Sequence, residues 1–123
     1  MSLISYSQQR ADPDIAYQVL ISKWSYSTEN YEDVTTMDCD IAIFWLKDRI
    51  RIKDANNSVY YIRGDGYNAV TGELHVTKWN CYDESGDDCT AELIYNSNTA
   101  ILVITYEHKI RYAYFLKIKT NTG

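Results

Sequence analysis

This sequence of 123 residues is poor in proline, histidine and long apolar stretches. It has one proline, two histidines and no run of about 18 apolar residues, so no membrane-spanning helix is predicted. A charged segment followed by an apolar one is also missing, so no secretory signal peptide is predicted and the sequence specifies no cellular compartment. His75 and His108 are therefore the ordinary candidates for acid–base chemistry near neutral pH.

Basic residues are also fewer than acidic ones. Twelve Lys and Arg stand against seventeen Asp and Glu, which gives a net charge of −5. Nucleic acids and anionic membranes both reward clustered basic residues, so neither is expected as a partner. One basic stretch, formed by Lys109, Arg111, Lys117 and Lys119, alternates with apolar residues and is typical of the solvent-facing side of a strand.

Tyrosine and tryptophan, in contrast, are abundant, with twelve and three copies. Aromatic residues suit the pleated, half-buried surface of a β-sheet. The hydrophobic fraction of 46% and the charged fraction of 24% are those of a globular protein. The length is that of one domain, so residues 1–123 are predicted to form a single all-β domain.

Hydrophobicity with a period of two recurs along the chain and predicts β-strands. In the best example, Ile50 and Ile52 alternate with Arg49, Arg51 and Lys53. The predicted strands cover residues 39–45, 48–53, 59–62, 74–82, 89–93, 101–106 and 110–118. Short turns separate them, which predicts an antiparallel up-and-down meander of about seven or eight strands, forming a small barrel or a sandwich.

Three segments have weaker patterns. The Asp-Pro-Asp of residues 12–14 would open a short N-terminal helix, whereas Ile15, Val19 and Ile21 favour a strand over the same region because β-branched residues prefer sheets. Residues 27–37 are predicted to be a long acidic loop. The glycines of residues 64–68 predict a second loop.

The three cysteines leave two interpretations open. Cys81 and Cys89 flank an acidic turn, and a three-residue loop at residues 84–86 would place them opposite each other on one sheet face, where a disulfide is geometrically demanding. Reduced core thiols are favoured, because all three cysteines have apolar neighbours and Cys39 would be left over. The spacing fits no metal site, so none is predicted.

No set of residues with catalytic spacing is present. The pattern places no nucleophile or carboxylate beside His75 or His108, and neither a phosphate loop nor a nucleophile elbow occurs. We therefore predict that the protein is not an enzyme, with no catalytic residues and no cofactor.

The aromatic side chains are the candidate ligand-binding residues. If the sheet closes into a barrel, they would line a cavity for an apolar or flat ligand. Core filling is the favoured alternative, because a barrel of about eight strands is barely wider inside than its own side chains. The candidates are Trp45, Trp79, Tyr61, Tyr112 and Tyr114.

The order of short strands ending in residues 110–118 resembles a shortened lipocalin-type barrel, although Ser22-Lys23-Trp24 stands where lipocalins carry Gly-x-Trp. The spacing Trp79-x-Cys81-x-Asp83-x-x-Gly86-x-x-Cys89 is similar to that of small uncharacterised all-β proteins of microbes and their viruses. These resemblances imply a barrel and carry over no functional residue.

Two functions are therefore expected. The first is a non-catalytic binding module that holds a small apolar ligand or a protein partner. The alternative is a structural or assembly subunit that works through subunit contacts, for example in a virion or a cell-surface assembly, in which case a homo-oligomer is expected.

Overall fold

The computed structural model describes residues 13–118 and consists of eight antiparallel strands. Each strand pairs with the next along the chain, and the last returns to pair with the first, so the sheet closes into a barrel. No helix occurs in residues 13–118. The strands are β1 Asp14–Ser25, β2 Asn30–Trp45, β3 Arg49–Ile52, β4 Ser58–Thr71, β5 Leu74–Asp83, β6 Asp88–Tyr95, β7 Ala100–Tyr106 and β8 Ile110–Leu116. The predicted all-β meander is confirmed.

The barrel interior is filled by the apolar side chains that alternate along each strand. Trp45, Trp79, Cys81 and Cys89 lie inside, as predicted, with exposed fractions of 9%, 3%, 1% and 6%. Burying this apolar surface is the main favourable contribution to folding. The other core residues are Ala16, Val19, Ile43, Ile50, Ile52, Tyr60, Ala91, Leu93, Ala100, Leu102, Ile104, Tyr114 and Leu116.

The β5–β6 hairpin has the register that the sequence predicts. Cys81 lies directly opposite Cys89, and the amide of Asp83 donates to the carbonyl of Asp87, so residues 84–86 form the loop. Gly86 has a φ of 86°, a left-handed conformation that glycine adopts without a steric penalty.

The N-terminal segment is a strand and not a helix. β1 pairs with β2 on one side and with β8 on the other, and Ala16 and Val19 contribute to the core. The helix alternative is therefore wrong for Asp14–Ser25, because pairing on both sides satisfies the backbone of this segment. The proposed helix cap, Asp12, and the last residue of the basic stretch, Lys119, lie outside the described residues.

The predicted loop at residues 27–37 is wrong from residue 30 onward. β2 begins at Asn30 and pairs with β1 from there onward, after a turn in which Glu29 has a φ of 53°. The side chains from Glu32 to Asp38 are all exposed, so both faces of this part of the strand are solvated. A strand that is wet on both faces lacks the alternation from which strands are predicted.

The predicted loop at residues 64–68 is also wrong, because β4 runs through it as a bulge. The pairing register between β4 and β5 shifts between Arg63 and Tyr67, where Gly64 has a φ of 66°. Gly66 packs against the indole of Trp79 so closely that a Cβ atom would overlap it. The glycines thus mark a bulge and a close contact within a strand, which are known roles of strand glycine.

Candidate functional site

The predicted ligand-binding tryptophans are part of the buried core. Trp45 and Trp79 are buried among the interior side chains, and Tyr114 is 4% exposed beside them. The Trp45 indole Nε1 donates to Asp14 Oδ2 at 2.7 Å inside the barrel. Aromatic residues with such contacts fill the core, and the Trp45 indole also satisfies a buried carboxylate.

The predicted tyrosines lie on two different faces of the sheet. The Tyr112 and Tyr114 rings stack at a centroid distance of 6.4 Å, and Tyr112 packs against the core from a half-buried position. Tyr61 instead lies on the outer face, where its ring stacks on Tyr82 at 5.2 Å. The structure therefore separates Tyr61 from the other four candidates.

The two histidines lie in aromatic surroundings. The His75 ring stacks on Tyr95 at 5.0 Å, and His108 lies in the β7–β8 turn with its ring 4.5 Å from that of Trp24. Within residues 13–118, no three side chains of the types His, Cys, Asp and Glu are grouped as a metal site. Both histidines therefore pack against aromatic rings.

All three cysteines are free thiols in the structure. Burial raises the pKa of Cys81 and of Cys89 to about 12. The pKa of Cys39 is raised by burial and by the carboxylates of Asp40 and Asp38. Since the thiolate is the reactive form, these surroundings disfavour nucleophilic chemistry at every cysteine.

A groove of about 950 Å³ crosses the outer face of the barrel over β4 to β8. Its floor is a row of polar residues in which each is the direct cross-strand partner of the next. These side chains point outward because the residues beside them along each strand point into the core. The row consists of Arg63, Asn80, Thr90, Thr105 and Arg111.

Arg111 ends this row and is held in place by Tyr31 of β2. Its guanidinium carbon lies 4.0 Å from the centroid of the Tyr31 ring. The Tyr31 hydroxyl donates to the carbonyl oxygen of Tyr106 at 3.2 Å and accepts from the amide of His108 at 3.1 Å. Trp24 packs edge-on against the same ring at 5.0 Å. The guanidinium is therefore oriented before any ligand arrives.

Two buried polar atoms in the floor have no hydrogen-bond partner among the described residues. They are Nε of Arg111 and Oγ1 of Thr105, and the two residues are direct partners across β7 and β8. Leaving a buried polar atom unpaired costs about 1–3 kcal/mol. Both atoms are shielded from solvent, so an acceptor oxygen would reach them only after a small shift of the two side chains; it would then take a hydrogen bond from each, which makes this the candidate binding point.

Charges of both signs border the groove. Arg63 Nη2 lies 3.3 Å from Asp88 Oδ1, and the guanidinium carbon of Arg63 lies 4.2 Å from the centroid of the Tyr82 ring. This exposed ion pair adds little stability, but it orients the Arg63 side chain at one end of the groove floor. The lining holds four basic residues (Arg63, Lys78, Lys109 and Arg111) and three acidic ones (Asp88, Glu92 and Glu107). The groove is thus slightly positive on a protein whose net charge is −5.

A polar cluster lies at the β5–β6 turn next to the groove. The Tyr106 hydroxyl donates to Asp83 Oδ2 at 2.8 Å, and Asp83 Oδ1 accepts the amides of Ser85 and Asp87 at 2.9 Å each. Burial raises the pKa of Asp83, but these hydrogen bonds outweigh it and lower the pKa overall. Burial also raises the pKa of Tyr60 to about 12. The cluster fixes the β5–β6 turn beside the groove.

The sequence identified the aromatic residues but not this groove. The floor residues come from five strands, and only the pairing register brings them into one row. The available signal was weak: Asn80, Thr90 and Thr105 are small polar residues at outward positions of successive strands. Arg111 was assigned only to a solvated strand face, and nothing in the pattern connected it with Tyr31.

The described residues include no helix that is long and apolar enough to cross a membrane. Comparison of the chain with protein-family models, with curated proteins and with solved structures finds no match.

Proposed function

We propose that this protein is a non-catalytic binding module whose ligand is an extended segment of a protein partner lying in the outer groove. An acidic side chain of that segment binds at Arg111 and Thr105. The single observation that carries the proposal is the adjacent pair of buried, unpaired polar atoms in the groove floor.

A carboxylate is the group that this point fits. The guanidinium is a planar fork of N–H donors that pairs with the two oxygens of a carboxylate, and stacking on Tyr31 fixes its plane. The Thr105 hydroxyl adds a third donor. A bidentate, oriented contact of this kind is the strong form of a charge-assisted hydrogen bond.

The surrounding groove favours a peptide over an apolar small molecule. Sites for small apolar ligands are lined mainly by hydrophobic side chains, whereas this floor consists of arginine, asparagine and threonine. The three acidic residues of the lining would repel a nucleic acid backbone. A peptide offers main-chain donors and acceptors to the floor and side chains of both signs to the walls.

The experiment measures peptide affinity. The probes are N-acetylated, amidated heptapeptides that differ only in the central residue, which is Glu, Asp or Gln, on a set of flanking sequences. The half-buried Trp24, which packs on Tyr31, is the fluorescent reporter. We expect at least one flanking sequence to bind about tenfold more tightly with Glu or Asp than with Gln, in keeping with about 1.5–3 kcal/mol for a hydrogen bond to a charged group.

Arg111→Met should remove this preference, and Arg51→Met is the matched control because Arg51 is an exposed arginine of β3 outside the groove lining. Equal affinity for Glu and Gln peptides across the whole set would contradict the proposal. So would an equal loss in both variants.

A structural or assembly role is the second candidate, and exposed apolar residues favour it. Tyr67, Val70 and Leu74, all on the β4–β5 hairpin, are 69%, 62% and 38% exposed. Such side chains serve contacts between subunits when they form a patch. Light scattering after size-exclusion chromatography should then show an oligomer that Tyr67→Ser with Val70→Ser dissociates, whereas a strict monomer at high concentration would count against this role.

A further inference from the structure

Within residues 13–118, one edge of β2 has no strand beside it over most of its length. β3 has only four residues and pairs with β2 at Ile43–Trp45 alone, and the Lys53 amide donates to the carbonyl of Ala42 just beyond. Over residues 30–41, β2 pairs with β1 on one side and with no described strand on the other. In an antiparallel strand, alternate N–H and C=O groups point to each side, so this edge presents an unpaired row of both.

The edge is accessible to an incoming strand. Every side chain from Glu32 to Asp38 is exposed, and the apolar Val34 and Met37 are 54% and 48% exposed. Exposed hydrophobic side chains on an open edge gain from being covered by another strand. Strand addition to such an edge is an established way of binding an extended peptide.

The charge of β2 selects the kind of strand that can pair with it. The strand holds four acidic residues, Glu32, Asp33, Asp38 and Asp40, and contains no lysine or arginine. Asp38 and Asp40 alternate with Cys39 and with Ile41, which packs on the core, so both carboxylates lie on the outer face. Like charges directly opposite each other destabilise a pair of strands, and opposite charges stabilise it. A second copy of the same edge would therefore be repelled, and a basic strand attracted.

We infer that the open edge of β2, residues 30–41, binds an extended basic segment of a protein partner by strand addition. Two Lys or Arg residues spaced two apart in that segment face Asp38 and Asp40. Tyr31 belongs both to this edge and to the lining of the Arg111 groove, but strand addition along the edge does not depend on the function proposed for the groove.

The test uses hydrogen exchange on the full chain. The probe is an N-acetylated, amidated octapeptide of alternating lysine and valine. At saturation, we expect the amides of residues 30–41 that point away from β1 to exchange with solvent at least about tenfold more slowly than in the free protein. A peptide that is N-methylated at every residue, so that none of its residues can donate a main-chain hydrogen bond, should give no protection. An octapeptide of alternating glutamate and valine should not bind.

A charge variant tests the selectivity. The double substitution Asp38→Asn with Asp40→Asn should lower the affinity for the lysine–valine peptide by about twofold to thirtyfold, since each cross-strand charge pair is worth about 0.2–1 kcal/mol. Asp65→Asn with Glu73→Gln is the matched control, because it removes two exposed acidic residues from another part of the barrel.

Three results would overturn the inference. The first is protection of these amides in the free protein, which would mean that this chain or a second copy already covers the edge. The second is binding that survives N-methylation of the peptide. The third is equal weakening in the two charge variants.

Discussion

Replacing Gly66 by alanine tests the close contact between β4 and the core. A Cβ atom at residue 66 would overlap the Trp79 indole at Nε1 and would lie 2.8 Å from its Cδ1. Trp79 is 3% exposed and surrounded by other core residues, so the ring has no open space to enter. Adding a methyl group to a packed site costs about 1–3 kcal/mol, and we expect Gly66→Ala to lower the free energy of unfolding by that amount.

Gly64→Ala is the control because it separates packing from backbone strain. Gly64 has a φ of 66°, and a Cβ there would have nothing within 4 Å. Its substitution should cost about 1 kcal/mol through the left-handed backbone alone. Urea denaturation followed by circular dichroism measures both variants.

A second substitution distinguishes the two causes. Trp79→Phe removes the part of the indole that meets the new methyl group, so it should relieve the penalty of Gly66→Ala and leave that of Gly64→Ala unchanged. The coupling free energy between residues 66 and 79 should be about 0.5–3 kcal/mol. Strict additivity of Gly66→Ala and Trp79→Phe would refute the packing argument.

Three further predictions concern the core and the barrel end. Leu102→Ala, at a fully buried position, should lower the unfolding free energy in urea by about 2–5 kcal/mol, and a loss below about 1 kcal/mol would contradict a solid interior. The lowered pKa of Asp83 stabilises the fold above the unfolded pKa of about 4, and this contribution is lost as the pH falls through the folded pKa. Tyr106→Phe removes one cause of the lowering, so its stability should fall less than that of the wild type between about pH 5 and about pH 2.5, and parallel stability curves would argue against the hydrogen bond. The raised pKa of Cys81 and Cys89 predicts that a disulfide reagent at about pH 8 labels them only after unfolding, and rapid labelling of the native protein would refute their burial.

The sequence predicts the strands wherever one face is dry. Ile50 and Ile52 alternate with charged residues, and the hairpin that places Cys81 opposite Cys89 has its turn chemistry in the sequence. The prediction fails at residues 30–37, because a strand solvated on both faces has no alternation. It fails again at Gly64, because a bulge and a turn use glycine for the same left-handed backbone, and at Gly66, because its close contact with Trp79 leaves no signal in the sequence.

The candidate site is less predictable than the fold. Trp45 and Trp79 are candidate ligand-binding residues because they are large and aromatic, but the same property makes them efficient core residues. The groove depends on neighbours in space: Thr105 meets Arg111 through the β7–β8 register, and Tyr31 reaches Arg111 from the part of β2 that the sequence does not predict. Such a site becomes visible only when the register of the whole barrel is known.

Arg111 and Thr105 are the residues that we propose bind the acidic side chain of a partner. The most direct measurement is the ¹H–¹⁵N signal of the Arg111 side chain at Nε, recorded during titration with the tightest glutamate heptapeptide and with its glutamine analogue. We expect the glutamate peptide to shift this signal downfield and to slow the exchange of its proton with solvent, because the buried Nε–H gains an acceptor. A peptide that binds while this signal stays unchanged would contradict binding at Arg111.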